Sequence, residues 1–370
     1  MLIMKNIMKS FAALALIIFA GCATELTNDS IDSVGKTVVN VGFNETKTYL
    51  GELENDGTRK VYWSDDDKIA VNGTASSSVV LSEDKRAANF TFDAVLEYPY
   101  SALYPAEMYK DAQTITLPAI QAAATNTFAV GAAPMAGYQE TEDESVTMHH
   151  LAGVVRLQVK LPTDNPHTIH PLNRVEFRGN AGEQVSGDFT IDYVNSTISG
   201  ASSAEADKVV VAKAGKTLST DESQDVFIVV PAIRYEQGFT VRLIDNAGHY
   251  MDIKSKDITI AAGEIKAMPV VNFVPTGTLV GVEIKTAADL VAFAKAYNAK
   301  EYDSLGDELY VRLANDIVFD DETNAAWESI GNSDFYFRGT FDGENFSIQN
   351  WNSTKPLFFA TYVKHFNSII

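Results

Sequence analysis

The chain has 370 residues, 46% of them apolar and 10% aromatic, which is enough to build two or three packed domains. Its formal charge of −20 excludes a nucleic-acid partner, because phosphate binding needs a basic surface, and it favours solubility and mutual repulsion. The one cysteine, Cys22, excludes an intrachain disulfide, so each domain must be stable by its core alone.

Lys5 and Lys9 give the chain a basic start, and the apolar run from Phe11 to Phe19 is shorter than the about 20 residues a bilayer span requires. Residues 1–21 therefore read as a signal peptide. The ending Ala20-Gly21-Cys22 resembles a bacterial lipobox, although Phe19 stands where leucine is commoner. That resemblance implies cleavage between Gly21 and Cys22 and acylation of Cys22, with outer-membrane lipid as the partner. Several acyl chains on one residue hold a protein durably, each buried CH₂ contributing about 0.8 kcal/mol. Residues 22–36 are polar and small and read as a flexible tether.

Beyond the tether helical periodicity is nearly absent, and short alternating runs split by turn residues predict antiparallel sheets. Thr37 to Phe43 alternates as a first strand. Arg59 to Trp63 and Lys68 to Val71 are expected to pair around the acidic turn Ser64-Asp65-Asp66-Asp67. Strands follow at Val79 to Leu81, Asn89 to Val95, Ala102 to Tyr104 and Thr114 to Leu117, closing a first domain over 37–145. The acidic linker Glu140 to Glu144 marks its end. A second set, with a long strand from Leu151 to Leu161, runs to Phe273 and supplies the seven or eight strands of a complete sandwich over 146–275.

The segment 282–370 differs. Leu290, Phe293, Ala294 and Tyr297 fall at helical spacing behind a loose capping box, Thr286 with Asp289, and predict one short helix. Leu309 to Leu313, Trp327 to Ile330 and Phe335 to Ile348 read as short strands, and the run from Phe337 to Trp351 resembles one coil of a right-handed β-solenoid, an adhesin repeat. A solenoid needs about three repeats to bury a continuous core, so a single coil is expected to be incomplete, a truncated end or one coil capped by the sandwich, and the segment least protected from hydrogen exchange.

Chemical motifs are few. Ala214 to Thr217 ends like a phosphate-binding loop, but Val210 occupies the position of its first glycine and a strand is expected there. His149 with His150 point to opposite strand faces, and His167 with His170 have no Cys or Glu nearby; Asp65 to Asp67 lack the alternating ligands and glycine of a calcium loop. Asp342 and Glu344 on one coil cannot form a lyase groove. No catalytic residue, metal or cofactor is expected.

Several runs together resemble the fimbrillin-type proteins of Bacteroidales surface fimbriae: Lys47 to Gly51, Val61 to Gly73, Tyr100 to Pro105, Leu117 to Gln121, Gly131 to Gly137 and Met148 to Val159. The order of these runs carries more than any one of them. The resemblance implies a mostly β protein with two transthyretin-like antiparallel β-sandwich domains in tandem, here followed by the helix and incomplete solenoid coil. It further implies an outer-membrane lipoprotein at the cell surface, a fimbrial subunit or related adhesin, and the residues beyond Phe273 fit an accessory or tip subunit better than a repeating stalk subunit. Its partners would be other fimbrial subunits, joined by strand exchange after a protease removes the strand Thr37 to Phe43. The basic residue available for that cleavage is Lys47, where members that use an arginine-specific protease carry arginine. The alternative is a permanently anchored, non-polymerising protein, its Thr37 to Phe43 an edge strand, that binds glycan or host protein through Trp63, Trp327, Tyr336 and Trp351. Ser30, Ser33 and Ser304 sit in Asp-Ser-apolar patterns like those that Bacteroides-type bacteria O-glycosylate.

Overall fold

A computed structural model describes residues 30–32, 35–43, 50–53, 59–142, 145–164, 170–343, 346–359 and 366–367. The architecture is mostly β. In the first body the strands run, in spatial order, Thr74–Ala75, Ala70–Val71, Tyr100–Tyr104, Met135–Gln139, Val146–His150, Lys36–Phe43, Ala87–Phe92 and Ser78–Leu81. The sheet curls until its two halves face each other across a core. Ala87–Phe92 illustrates how sequence produces this: Ala88, Phe90 and Phe92 point inward at every second position while Asn89 and Thr91 do not. Across the core they meet Val71, Tyr100, Tyr104 and Met135, with Trp63 edge-on to Phe90 and Tyr104 at 5.1 and 5.5 Å.

The expected pairing around the acidic turn is not formed. Arg59–Val61 pairs with Leu50–Leu53, and Ala70–Val71 pairs with Thr74–Ala75 and Tyr100–Tyr104. The tight hairpin is instead at Asn72-Gly73, where both residues have positive φ, 49° and 83°. That backbone suits a two-residue hairpin of matching twist and favours glycine, whose added Cβ would also sit 2.7 Å from the Tyr109 hydroxyl. The tether also differs from expectation, because Ser30–Asp32 forms a strand against Lys36–Val38, with Gly35 at φ 80° in the turn between.

The second body is a sandwich. One sheet runs Ile120–Gln121, Val210–Lys216, Leu172–Gly179, Phe239–Asp245, His249–Lys254 and Gly277–Thr278; the other is built on Ala152–Lys160, flanked by Gln224–Pro231 and, in parallel, by Ile265–Ala267 and Val271–Asn272. Val155, Leu157 and Val159 pack against Val175, Phe177, Val241 and Leu243 between the sheets. A smaller sheet of Tyr109–Asp111, Thr114–Leu117, Gly187–Asp192 and Thr197–Ser199 fills the seam between bodies. Residues 109–121, which the boundary at 145 assigned to the first domain, thus pair with strands of the second. Their apolar side chains, Ile115 and Leu117, join Phe189 and Ile191 against Leu103 and Ala136 on the outer face of the first sheet.

The third body corrects the expectation of a single coil and a single helix. Val280–Ile284, Leu309–Leu313, Thr340–Asp342 and Phe366–Asn367 stack in parallel register, and Ile317–Val318 stacks on Ile348–Gln349. The helix Ala287–Asn298 lays Leu290, Phe293, Ala294 and Tyr297 over Leu309, Val311, Phe337 and Phe341. Its capping box is complete: Thr286 Oγ1 accepts from the Asp289 amide at 3.1 Å and Asp289 Oδ2 from the Thr286 amide at 2.9 Å. A second helix, Asp321–Ala326, is capped by Asp320 and buries none of its residues, so it leaves no apolar periodicity to read.

A core of this kind leads to the opposite expectation for hydrogen exchange. The amides of Leu309–Leu313 should exchange within about tenfold of those of Val226 to Val229, and Trp327→Ala should cost roughly 3–5 kcal/mol in chemical denaturation. Rapid exchange at Leu309–Leu313 with the sandwiches still protected would show that the stack opens by itself.

Candidate functional site

The strand Lys36–Phe43 is an interior strand, not the edge strand that the anchored alternative supposed. On one side Thr37 through Gly42 pair antiparallel with Ala87 through Phe92. On the other, its first half pairs with Ser30–Asp32, and Val41 to Phe43 pair in parallel with Val146 to Met148. The alternation Thr-Val-Val-Asn-Val-Gly places Thr37, Val39 and Val41 inside, at 1%, 0% and 0% exposure, while Val38, Asn40 and Gly42 remain half-buried.

Side chains reinforce the ladders. Thr37 Oγ1 accepts from the Leu96 amide at 2.9 Å, and Asn40 Nδ2 donates to Asn89 Oδ1 at 3.0 Å, directly across the pair. Lys36 lies 2.8 Å from Asp93, and its hydrogen bond and charge hold that carboxyl below the ordinary value. Withdrawing this strand would leave Ala87–Phe92 and Val146–Met148 as unpaired edges on either side of a slot lined by Phe90, Phe92, Val146 and Met148. What fills such a slot is another strand with a small apolar residue at every second position.

Other residues singled out in the sequence are dispersed. Gly21, Cys22, Ser33, Lys47, His167 and Glu344 lie outside the described residues. Ser30 is in the short strand against Lys36–Val38, and Ser304 is exposed in the 3₁₀ segment Asp303–Glu308. Trp63 and Trp327 are each 1% exposed and belong to the cores of the first and third bodies, so neither has a ring face to offer a sugar. Trp351 is half-buried, stacked on Phe319 at 5.7 Å and edge-on to Trp327 at 5.2 Å. Tyr336 is half-buried and its carbonyl accepts from the Tyr297 hydroxyl.

In the acidic turn, Asp67 is a structural clasp and not a solvated residue. Its carboxylate accepts from the Ser64 amide at 2.7 Å and from the Tyr104 hydroxyl at 2.9 Å; burial first, and the Asp67 charge second, push that phenol well above its ordinary pKa. Exposed Asp66 lines a cleft of about 570 Å³ with Pro105, Glu107, Met108 and Val130. Ala214 to Lys216 lie in a strand, where no phosphate cradle forms.

Sequence reading missed the group that joins the second and third bodies. Arg174 and Asp342 are both 0% exposed, with Nη1 3.7 Å from Oδ2; Arg174 Nε donates to Glu176 Oε1 at 3.2 Å, and the Tyr310 hydroxyl donates to Asp342 at 3.0 Å. Burial alone would lower the Arg174 pKa, but Glu176, Tyr310 and Asp342 raise it above the ordinary value, so the residue is a cation in a closed pocket. The one available signal was an arginine alternating with Val175 and Phe177 on a core strand.

The chain matches no known family profile and no curated protein. Among solved structures it is similar to a proposed cell adhesion protein from Bacteroides ovatus, at 10% identity over 65% of this chain and 95% of that one, with a TM-score of 0.37. A proposed cell adhesion protein from Bacteroides uniformis gives 13% identity, 63% and 94% coverage and 0.33. A fimbrial assembly protein from Parabacteroides distasonis gives 12%, 62% and 90%, and 0.26.

The inward and outward positions of the strand predict a contrast. Val39→Ala should lower stability by about 2 kcal/mol, while Val38→Ala should change it by less than about 1 kcal/mol, both read from urea midpoints. Removing one partner of the buried pair, as Asp342→Ala, should cost roughly 3–5 kcal/mol in the same measurement.

Proposed function

We propose that this protein is a fimbrillin-like surface lipoprotein, an accessory or tip subunit of a fimbrium that acts in adhesion and joins its neighbours by strand exchange. The observation that carries the reading is the interior position of Lys36–Phe43, bonded on both sides and inward-facing at Thr37, Val39 and Val41. An interior strand close to the start of a chain can leave without cutting the rest of the sheet's connectivity, and its loss creates the one kind of vacancy that a neighbour's strand repairs. In this reading Cys22 is the acylated anchor to the outer membrane, and cleavage after Lys47 releases the strand. The order of sequence runs shared with fimbrillins supports the same assignment, and the third body, set beyond two sandwiches, suits a subunit that presents a surface of its own. Trp351 and Tyr336, two half-buried aromatic residues of that body, are the contacts proposed for a host glycan or protein. No step of this function is catalytic.

The test compares a chain beginning at Ala23 with one beginning at Thr48 on an unheated denaturing gel. A detergent-resistant ladder from the shorter chain alone, suppressed by an excess of a peptide spanning residues 36–43, is the expected result. Monomers from both chains, with the shorter one folded by circular dichroism, would instead identify a permanently anchored surface binder of glycan or host protein.

A further inference from the structure

His249 follows the turn that ends the core strand Phe239–Asp245, and its Nδ1 lies 2.8 Å from Asp245 Oδ2. The Asp245 side chain is 2% exposed and its other oxygen accepts from the Ala247 and His249 amides at 2.9 and 2.8 Å, so the carboxylate cannot swing away. A carboxylate only accepts, which makes Nδ1 the donor in the neutral ring and leaves the Nε2 lone pair free. This carboxylate–imidazole arrangement is the one that fixes the tautomer and ring orientation of a metal-binding histidine.

A second imidazole stands beside it. His170 lies just before the neighbouring strand Leu172–Gly179, and its ring centre is 5.6 Å from that of His249, the planes tilted by 46°. Two imidazoles on one ion at about 2.0–2.1 Å, at angles near tetrahedral, place their ring centres about 5 Å apart. The observed separation of the ring centres is close to that value. His249 is 37% exposed, which gives an ion a path in.

We infer that His170 and His249 form a site for a divalent transition-metal ion, with water completing its coordination. Among the described residues no group of three His, Cys, Asp or Glu side chains is placed to hold a metal ion. That sets the class of site. It is an open, exchangeable imidazole site, strongest for copper(II) and weaker for nickel and zinc, and not a closed structural zinc centre. It pairs His170 with His249, across two strands, rather than with His167 in sequence.

Copper(II) and zinc titrated separately into the full chain test this, with calorimetry for affinity and electron paramagnetic resonance for the copper ligands. The expected result is one ion per chain, two nitrogen couplings on copper, and affinity reduced at least tenfold in both H170Q and H249Q but unchanged in H149Q. Thermal melting of each variant without metal checks that the fold survives. No uptake at millimolar ion, undiminished binding in the H170Q/H249Q double variant, or dependence on only one of the two histidines would overturn the site.

Discussion

The two hydrogen-bonded ladders on Lys36–Phe43 are the constraint from which the first body follows. One ladder reaches Ala87–Phe92 and the other Val146–Met148, so this strand ties together segments separated by more than a hundred residues of chain. Because the side-chain period of a strand is two, a slip of one residue would turn Thr37, Val39 and Val41 outward and bring Val38, Asn40 and Gly42 into the core. The cross-strand Asn40 to Asn89 hydrogen bond and the Thr37 contact with Leu96 both belong to the observed register alone. Opposing these long-range pairs is the loop-closure entropy of bringing distant segments together, which is met only when the inward face finds Phe90, Phe92 and Met148 in place.

The remaining bodies are joined by two seams of different chemistry. Between the first and second the seam is apolar: Leu103 and Ala136 meet Ile115, Leu117, Phe189 and Ile191, and residues 109–121 cross over to pair with the second body. Between the second and third it is polar and closed, with Arg174, Glu176, Tyr310 and Asp342 beside a small apolar contact of Ile244, Leu279 and Tyr310. An apolar seam tolerates small shifts because burial is non-directional. A buried ion pair does not, since any displacement leaves a desolvated charge without its partner, so the third body is held in one orientation on the sandwich.

Much of this was legible in the sequence wherever period and punctuation agree. The strand Ala87–Phe92 alternates throughout and Ala152–Lys160 alternates from Val155 onward, and the helix Ala287–Asn298 carries both its apolar stripe and its cap. The hairpin at Asn72-Gly73 carries a stronger turn signal than the acidic run before it, and Asp67 in that run faces inward because Ser64 and Tyr104 bind it, a fact that no local pattern encodes. The parallel stack is legible only as one coil, Phe337 to Trp351, and not as several rungs. Its rungs recur at nearly equal spacing, with Val280 beside Leu309, Tyr310 beside Thr340 and Ile317 beside Ile348, but one crossover holds a helix with an apolar stripe and the next a capped helix that buries none of its residues, so the side chains between rungs differ. The interior position of Lys36–Phe43 was equally hidden, because alternation reveals which face of a strand is buried and not whether one or both of its edges are paired.

The arrangement of seams bears directly on what a vacated slot would be. A sheet that loses an interior strand usually loses its core as well, since the flanking strands are then free to collapse or aggregate. Here the half-sheet of Tyr100–Tyr104 and Met135–Gln139 has a second attachment, because its outer face, at Leu103 and Ala136, is packed on the seam sheet of the second body. Val146–His150 leads through Leu151 into Ala152–Lys160, the strand on which the second sandwich is built. One wall of the slot is therefore fixed to a body whose core does not include Lys36–Phe43, while the hairpin of Ser78–Leu81 and Ala87–Phe92 pairs with the rest of its sheet through this strand. The same lacing of residues 109–121 that blurs the domain boundary is what would keep the slot open and in register for an incoming strand.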